Sequence, residues 1–109
     1  MADVGKTLMR LPREYKRGDV IEVKTMVFHP NDNGRRQDPE TGNYIAEWYI
    51  RSIQVFYGDE KVMSVQTSSA VSQNPYFTFQ LKAERSAALR VEWEDSQGER
   101  YTHSLDVSV

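Results

Sequence analysis

Apolar residues in this chain recur at every second position, not at the three-and-four spacing of an amphipathic helix. Ile21, Val23, Thr25 and Val27 alternate with Glu22, Lys24 and Met26. Ile53, Val55 and Tyr57 run into Gly58-Asp59-Glu60, and Met63, Val65 and Thr67 return from it. Phe77, Phe79 and Leu81 alternate with Thr78, Gln80 and Lys82, and Leu89, Val91 and Trp93 with Arg90, Glu92 and Glu94. Tyr101, His103, Leu105 and Val107 form the last such stripe. A period of two is the mark of a strand with one buried face. The turn Asp95-Ser96-Gln97-Gly98 places a glycine where a bulged hairpin needs positive φ.

With a short first strand near Leu8 to Leu11, these segments predict about seven strands and an all-β fold, an immunoglobulin-like sandwich. The 109 residues read as one domain spanning 1–109, enough to bury roughly 65% of the unfolded surface in a single core. Fourteen basic groups against 16 acidic ones leave a net charge of −2. That balance speaks against general binding to nucleic acid or an anionic membrane, and no apolar run reaches the length of a membrane span. The N-terminus lacks the apolar segment and small-residue cleavage site of a secretory signal. The absence of cysteine excludes disulfides, thiolate metal sites and a cysteine nucleophile.

Two stretches break the alternation. His29 to Asn43 is polar, rich in Gly, Pro, Asn and Asp, and too long for a simple hairpin connection, a length that belongs to functional or mobile loops. The other is Asn74-Pro75-Tyr76, ahead of the Phe77 strand. Pro75 fixes its own φ and keeps Asn74 out of the helical region. Phe77 and Phe79 are expected in the core, with Tyr76 on the opposite face.

No catalyst is visible. His29 and His103 are the only histidines, and His103 lies in an apolar stripe, where a satisfied core or edge histidine is expected. Nothing has the spacing of a metal site, so no metal or cofactor is expected. Glu92 and Glu94 could be spaced for paired-carboxylate hydrolysis, but they flank Trp93 in the pattern of a solvated face. Ser68-Ser69 lacks a nucleophile-elbow context. Arg10, Arg13, Lys16 and Arg17 are diluted by Glu14 and Asp19 and read as a solvated edge.

Motif order goes further than composition. His29-Pro30, then Gly34, Arg36, Asp38 and Gly42, then Ile45 and Ile50, resembles the long loop of the SoxZ family. Asn74-Pro75-Tyr76-Phe77-Thr78-Phe79 resembles that family's most recognisable segment, and Trp93-Glu94-Asp95 with Gly98 is similar to its final hairpin. The likeness spans nearly the whole chain. It departs at Ala46, where the family often has proline, and at Asn31, where methionine is common.

The resemblance implies a non-catalytic sandwich subunit that pairs with SoxY in the periplasm. SoxY carries sulfur intermediates on the cysteine of a flexible C-terminal arm. Other Sox enzymes, as transient partners, load thiosulfate there, release sulfate and oxidise the remaining sulfane sulfur. A chain without cysteine suits the supporting role, and the missing signal suits export alongside a signal-bearing partner. By this resemblance His29, Pro30, Arg36, Asn74, Pro75 and Tyr76 are expected near the partner or its arm; a merely structural turn is the alternative for the Asn74 segment. Two other readings stand beside it: a stand-alone sandwich that binds a ligand, and a small metal-dependent enzyme using His29, His103 and an acid.

Overall fold

Alternation along the sequence becomes two faces in space. A computed structural model describes residues 4–30, 34–35, 37–44, 47–67 and 76–109. It contains the strands β1 (Thr7–Arg10), β2 (Val20–Val27), β3 (Ile50–Tyr57), β4 (Glu60–Gln66), β5 (Tyr76–Lys82), β6 (Ala87–Asp95) and β7 (Arg100–Val107). All pairings are antiparallel, in a three-stranded sheet of order β1-β2-β5 and a four-stranded sheet of order β4-β3-β6-β7. The expected all-β sandwich is therefore present, and no helix occurs among the described residues.

One pairing sets this sandwich apart from the constant-type immunoglobulin arrangement, in which the fourth strand joins the first, second and fifth. Here β4 pairs with β3, from Ser52 opposite Gln66 to Tyr57 opposite Glu60. The connection dictates this. Only Gly58 and Asp59 separate the two strands, and Gly58 takes φ 61°. A two-residue turn can only fold a strand back on its neighbour.

The inward residues of both sheets form one core. Val23, Val27, Val55, Leu89, Val91 and Trp93 are fully buried, and Phe79 and Leu81 join them from β5. Phe77, one turn of the pleat earlier, is half-buried and packs against Phe79 at a ring distance of 5.6 Å. One side of the sandwich is closed where β1 lies against β7. There Thr7 Oγ1 and His103 Nδ1 are hydrogen-bonded at 2.8 Å, so His103 is the satisfied edge histidine its stripe predicted. Strands β4 and β5 are both sheet edges. Neither carries a charge along most of its length: β4 has Glu60 and Lys61 only at its start, and β5 only Lys82 at its end.

Part of the long connection after β2 has structure of its own. Gln37 and Tyr44 form an isolated antiparallel bridge around the turn at Asp38 to Thr41. Gly42 N–H donates to the Asp38 carbonyl at 2.8 Å, with φ 75° at Gly42. The loop thus folds back as a small hairpin.

Candidate functional site

The first polar cluster is built by strand parity. Ile21, Val23, Thr25 and Val27 face inward along β2, and the same parity carried two residues on turns His29 into the core. On β6 the inward series Leu89, Val91, Trp93 ends at Asp95, and Tyr101 opens the inward series of β7. Both His29 and Asp95 are 0% exposed. Three donors converge on Asp95 Oδ2: His29 Nε2 at 3.2 Å, Trp48 Nε1 at 2.7 Å and Tyr101 OH at 2.8 Å. Its Oδ1 accepts the backbone N–H groups of Gln97 and Glu99, each at 2.9 Å. The His29 ring stands edge-on to Trp48, with centroids 4.7 Å apart.

A buried carboxylate is tolerated only when it is fully hydrogen-bonded. Burial disfavours the charged form of Asp95, but the bonds from Trp48, Tyr101, His29 and the Glu99 backbone outweigh it and hold the carboxyl below its ordinary value. Burial, and then the hydrogen bond to Asp95, push the Tyr101 hydroxyl up. Asp95 is therefore held as an anion by Trp48, Tyr101 and the Glu99 backbone, with His29 Nε2 as its third side-chain partner. Because His29 precedes the long loop and Trp48 follows it, one carboxylate on the β6–β7 hairpin ties down both of the loop's ends. A His–Asp pair is also the orienting half of a nucleophilic triad. Here the ring has no exposed surface, so this pair serves the fold.

The second feature lies on the outer face of the β1-β2-β5 sheet. Register puts Leu8 opposite Met26 and Met26 opposite Tyr76, so one row crosses all three strands. Leu8 is 42% exposed and Tyr76 62%. With Arg10, Lys24 and Thr25 they line a shallow groove of about 340 Å³. The outer face of the large sheet is different in kind. There Glu94 takes Arg51 and Arg100, and Arg90 pairs with Glu92 and stacks on Phe56. The Arg51 hydrogen bond holds Glu94 below its ordinary value, against the opposing effect of burial. Glu92 and Glu94 thus sit in a solvated, ion-paired face.

The sequence-predicted site residues separate accordingly. Tyr76 is exposed at the start of β5, on the face opposite Phe77 and Phe79. His29 and Pro30, expected beside a partner, are both buried: β2's parity carries His29 inward, and Pro30, of the opposite parity, is buried as well. Arg36, Asn74 and Pro75 lie outside the described residues. His29 and His103 occupy separate surroundings, Asp95 for one and Thr7 for the other, and no group of three or more metal-ligating side chains forms among the described residues. Sequence reasoning missed Asp95 and Trp48 as partners of His29. Parity signals Asp95; Trp48 leaves no such signal, since it reaches the cluster from an irregular segment.

The strand order and the single core define a small antiparallel β-sandwich. A variant of the superoxide reductase (neelaredoxin) from Ignicoccus hospitalis is 18% identical with a TM-score of 0.75, covering 99% of this chain and 82% of that one. The superoxide reductase (neelaredoxin) from Archaeoglobus fulgidus is 21% identical with a TM-score of 0.63, covering 98% and 91%. The sulfur carrier protein SoxY from Chlorobium limicola f thiosulfatophilum is 14% identical with a TM-score of 0.65, covering 94% and 74%. At these identities the likeness is one of fold. No curated protein matches in sequence. Residues 9–106 match the family described as sulphur oxidation protein SoxZ, and the chain belongs to that family.

Proposed function

We propose that this chain is the non-catalytic subunit of a SoxYZ carrier complex. In this reading it binds a SoxY-like chain and supports the cysteine arm on which that partner carries sulfur during thiosulfate oxidation. The observation that carries the reading is the SoxZ match over residues 9–106. Three features of the chain support it. Having no cysteine, it cannot compete with the partner's thiol for intermediates. Its two histidines are engaged, His29 out of reach of solvent and His103 on Thr7. Among the described residues it also leaves two largely uncharged edge strands, β4 and β5, with no further strand paired to them. Natural proteins blunt or cover such edges, and a permanent partner covers them. An interface of roughly 1,200–2,000 Å² is expected for such a pair. The periplasm is the compartment this reading assigns.

Tyr76 is the contact residue this reading selects. It combines large area with little entropy to lose on binding, and it stands exposed at the head of an edge strand. The test is co-expression with the SoxY-like chain followed by size exclusion. One co-eluting complex, weakened by Tyr76→Ala in assembly or in sulfur transfer, is the expected result. Separate elution of the two wild-type chains overturns the proposal. Normal assembly and transfer in the variant removes Tyr76 from the interface.

A further inference from the structure

Strand β4 is an edge of the large sheet, and among the described residues no strand pairs with its free side. One bond sets its backbone alternation. Thr67 N–H donates to the Arg51 carbonyl at 2.9 Å, so Thr67, Val65 and Met63 turn their backbone groups toward β3. Ser64 and Gln66 therefore aim their N–H and C=O groups at the open edge. The strand's two charges do not guard that edge, because both are drawn back onto their own chain. Glu60 reaches Arg85 at 3.8 Å, and the Lys61 ammonium lies 5.8 Å over the Phe56 ring. The register shift between Val55 and Phe56 lies toward the hairpin and leaves Met63 to Gln66 in regular pairing.

Apolar packing is also unfinished here. Met63 and Val65 pack on the core but are only half-buried, and Val62 is 40% exposed. On β5, the open edge of the small sheet, the inward Phe79 and Leu81 are already buried. A strand added beside β4 thus gains more apolar burial on its inner side than one added beside β5.

We infer that β4 pairs with β4 of a second copy of this chain, antiparallel about a two-fold axis at Ser64. The two large sheets then join into one, and each open edge satisfies the other. The side chains select this register. It sets Met63 against Val65 of the second copy and Val65 against Met63, apolar against apolar on the inner face. On the axis a residue meets itself, where a charge would repel and a bulky side chain would clash. Ser64 is small, and its hydroxyl both donates and accepts. Its backbone groups face outward, so the two copies exchange a pair of N–H···O=C bonds there. Moving the axis to Met63 sets Lys61 against Val65, and moving it to Val65 sets Met63 against Thr67; either breaks the apolar row. The inference does not rest on the carrier reading: a partner held at Tyr76 covers the β5 edge, in the other sheet, and leaves β4 to the second copy. So short an edge stands at the low end of specific interfaces, and dissociation on the order of 10 μM is expected.

The test is sedimentation equilibrium of the full chain across concentrations spanning that value. The mass should rise from 12.7 kDa toward twice that figure. Ser64→Lys, an exposed substitution that sets like charges face to face, should weaken the dimer at least tenfold, whereas Thr78→Lys on β5 should leave it unchanged. Because the chain has no cysteine, a single introduced thiol gives a second readout. On the axis, paired Cα atoms stand about 5.5 Å apart, within disulfide reach. Gln66 would stand about 13 Å from its own counterpart. Mild oxidation should therefore cross-link Ser64→Cys at least tenfold faster than Gln66→Cys. A chain that stays monomeric, a dimer that survives Ser64→Lys, or equal cross-linking of the two thiol variants overturns the inference. A monomeric chain whose co-elution with the SoxY-like partner is lost in Ser64→Lys assigns β4 to that partner, which overturns the inference and leaves the carrier reading standing. A Ser64-dependent dimer without co-elution supports the inference and overturns the carrier reading.

Discussion

Replacing Asp95 by alanine tests the packing argument where most of it converges. The substitution strips the acceptor from His29 Nε2, Trp48 Nε1 and Tyr101 OH at once, and from the N–H groups of Gln97 and Glu99. An orphaned buried donor costs about 1–3 kcal/mol. Trp48 and Tyr101 are only half-buried and can turn toward water, but His29 is 0% exposed and cannot. Removing one member of a buried charged network costs about 3–5 kcal/mol, and that is the expected loss. At about 4 °C per kcal/mol for a chain of this size, the midpoint should fall by roughly 12–20 °C. Asp95→Asn keeps the shape and one acceptor oxygen, so it should lose about half as much. Urea and thermal melts followed by circular dichroism read both, with Asp106→Ala on the exposed face of β7 as a control expected within about 0.5 kcal/mol. A loss below about 1 kcal/mol for Asp95→Ala would refute the claim that this carboxylate staples the loop to the hairpin.

Other expectations follow from the same geometry. Asp95 is held below its ordinary value of 3.8 in the fold, so its stabilisation is complete above that pH and is lost as pH falls through the lower folded value; acid-unfolding curves of Asp95→Asn should lack this limb, and an unchanged curve counts against it. Phe79→Ala should cost roughly 3–5 kcal/mol through lost burial and a cavity, while Tyr76→Ala should cost about 1 kcal/mol or less. Equal losses in a denaturant melt would mean that the facing of β5 is misread. Arg51→Ala, which breaks a half-exposed pair with Glu94, should leave the denaturation midpoint nearly unchanged, with any loss smaller still in high salt. The purified chain alone should neither turn over thiosulfate nor hold a stoichiometric metal, and one tightly bound zinc or iron per chain by elemental analysis would contradict this.

The strands were legible because one sheet face is buried and the other wet, which writes burial into the sequence as alternation. Ile21 to Val27 and Leu89 to Trp93 show it without ambiguity. The site was less legible. His29 and Asp95 stand at or just past a strand's end, where a polar residue reads as loop or turn even though its parity points inward. Trp48 meets Asp95 across 47 positions from an irregular segment, and no local pattern encodes such a contact. β1 is four residues long, too short for alternation to assign the facing of Leu8 and Arg10. Their alignment with Met26, Lys24 and Tyr76 is a property of register, which emerges only when strands pair. Sheet membership of β4, by contrast, was implicit in the two residues at Gly58 and Asp59.

The central claim is partnership with a thiol-bearing carrier, and native mass spectrometry of the co-purified proteins during thiosulfate oxidation tests it most directly. The account predicts one assembly containing this 12.7 kDa chain and the SoxY-like chain. Sulfur adducts should appear in the assembly and, after dissociation, reside on the partner alone. Adducts accumulating on a free partner while this chain remains outside any assembly would contradict it.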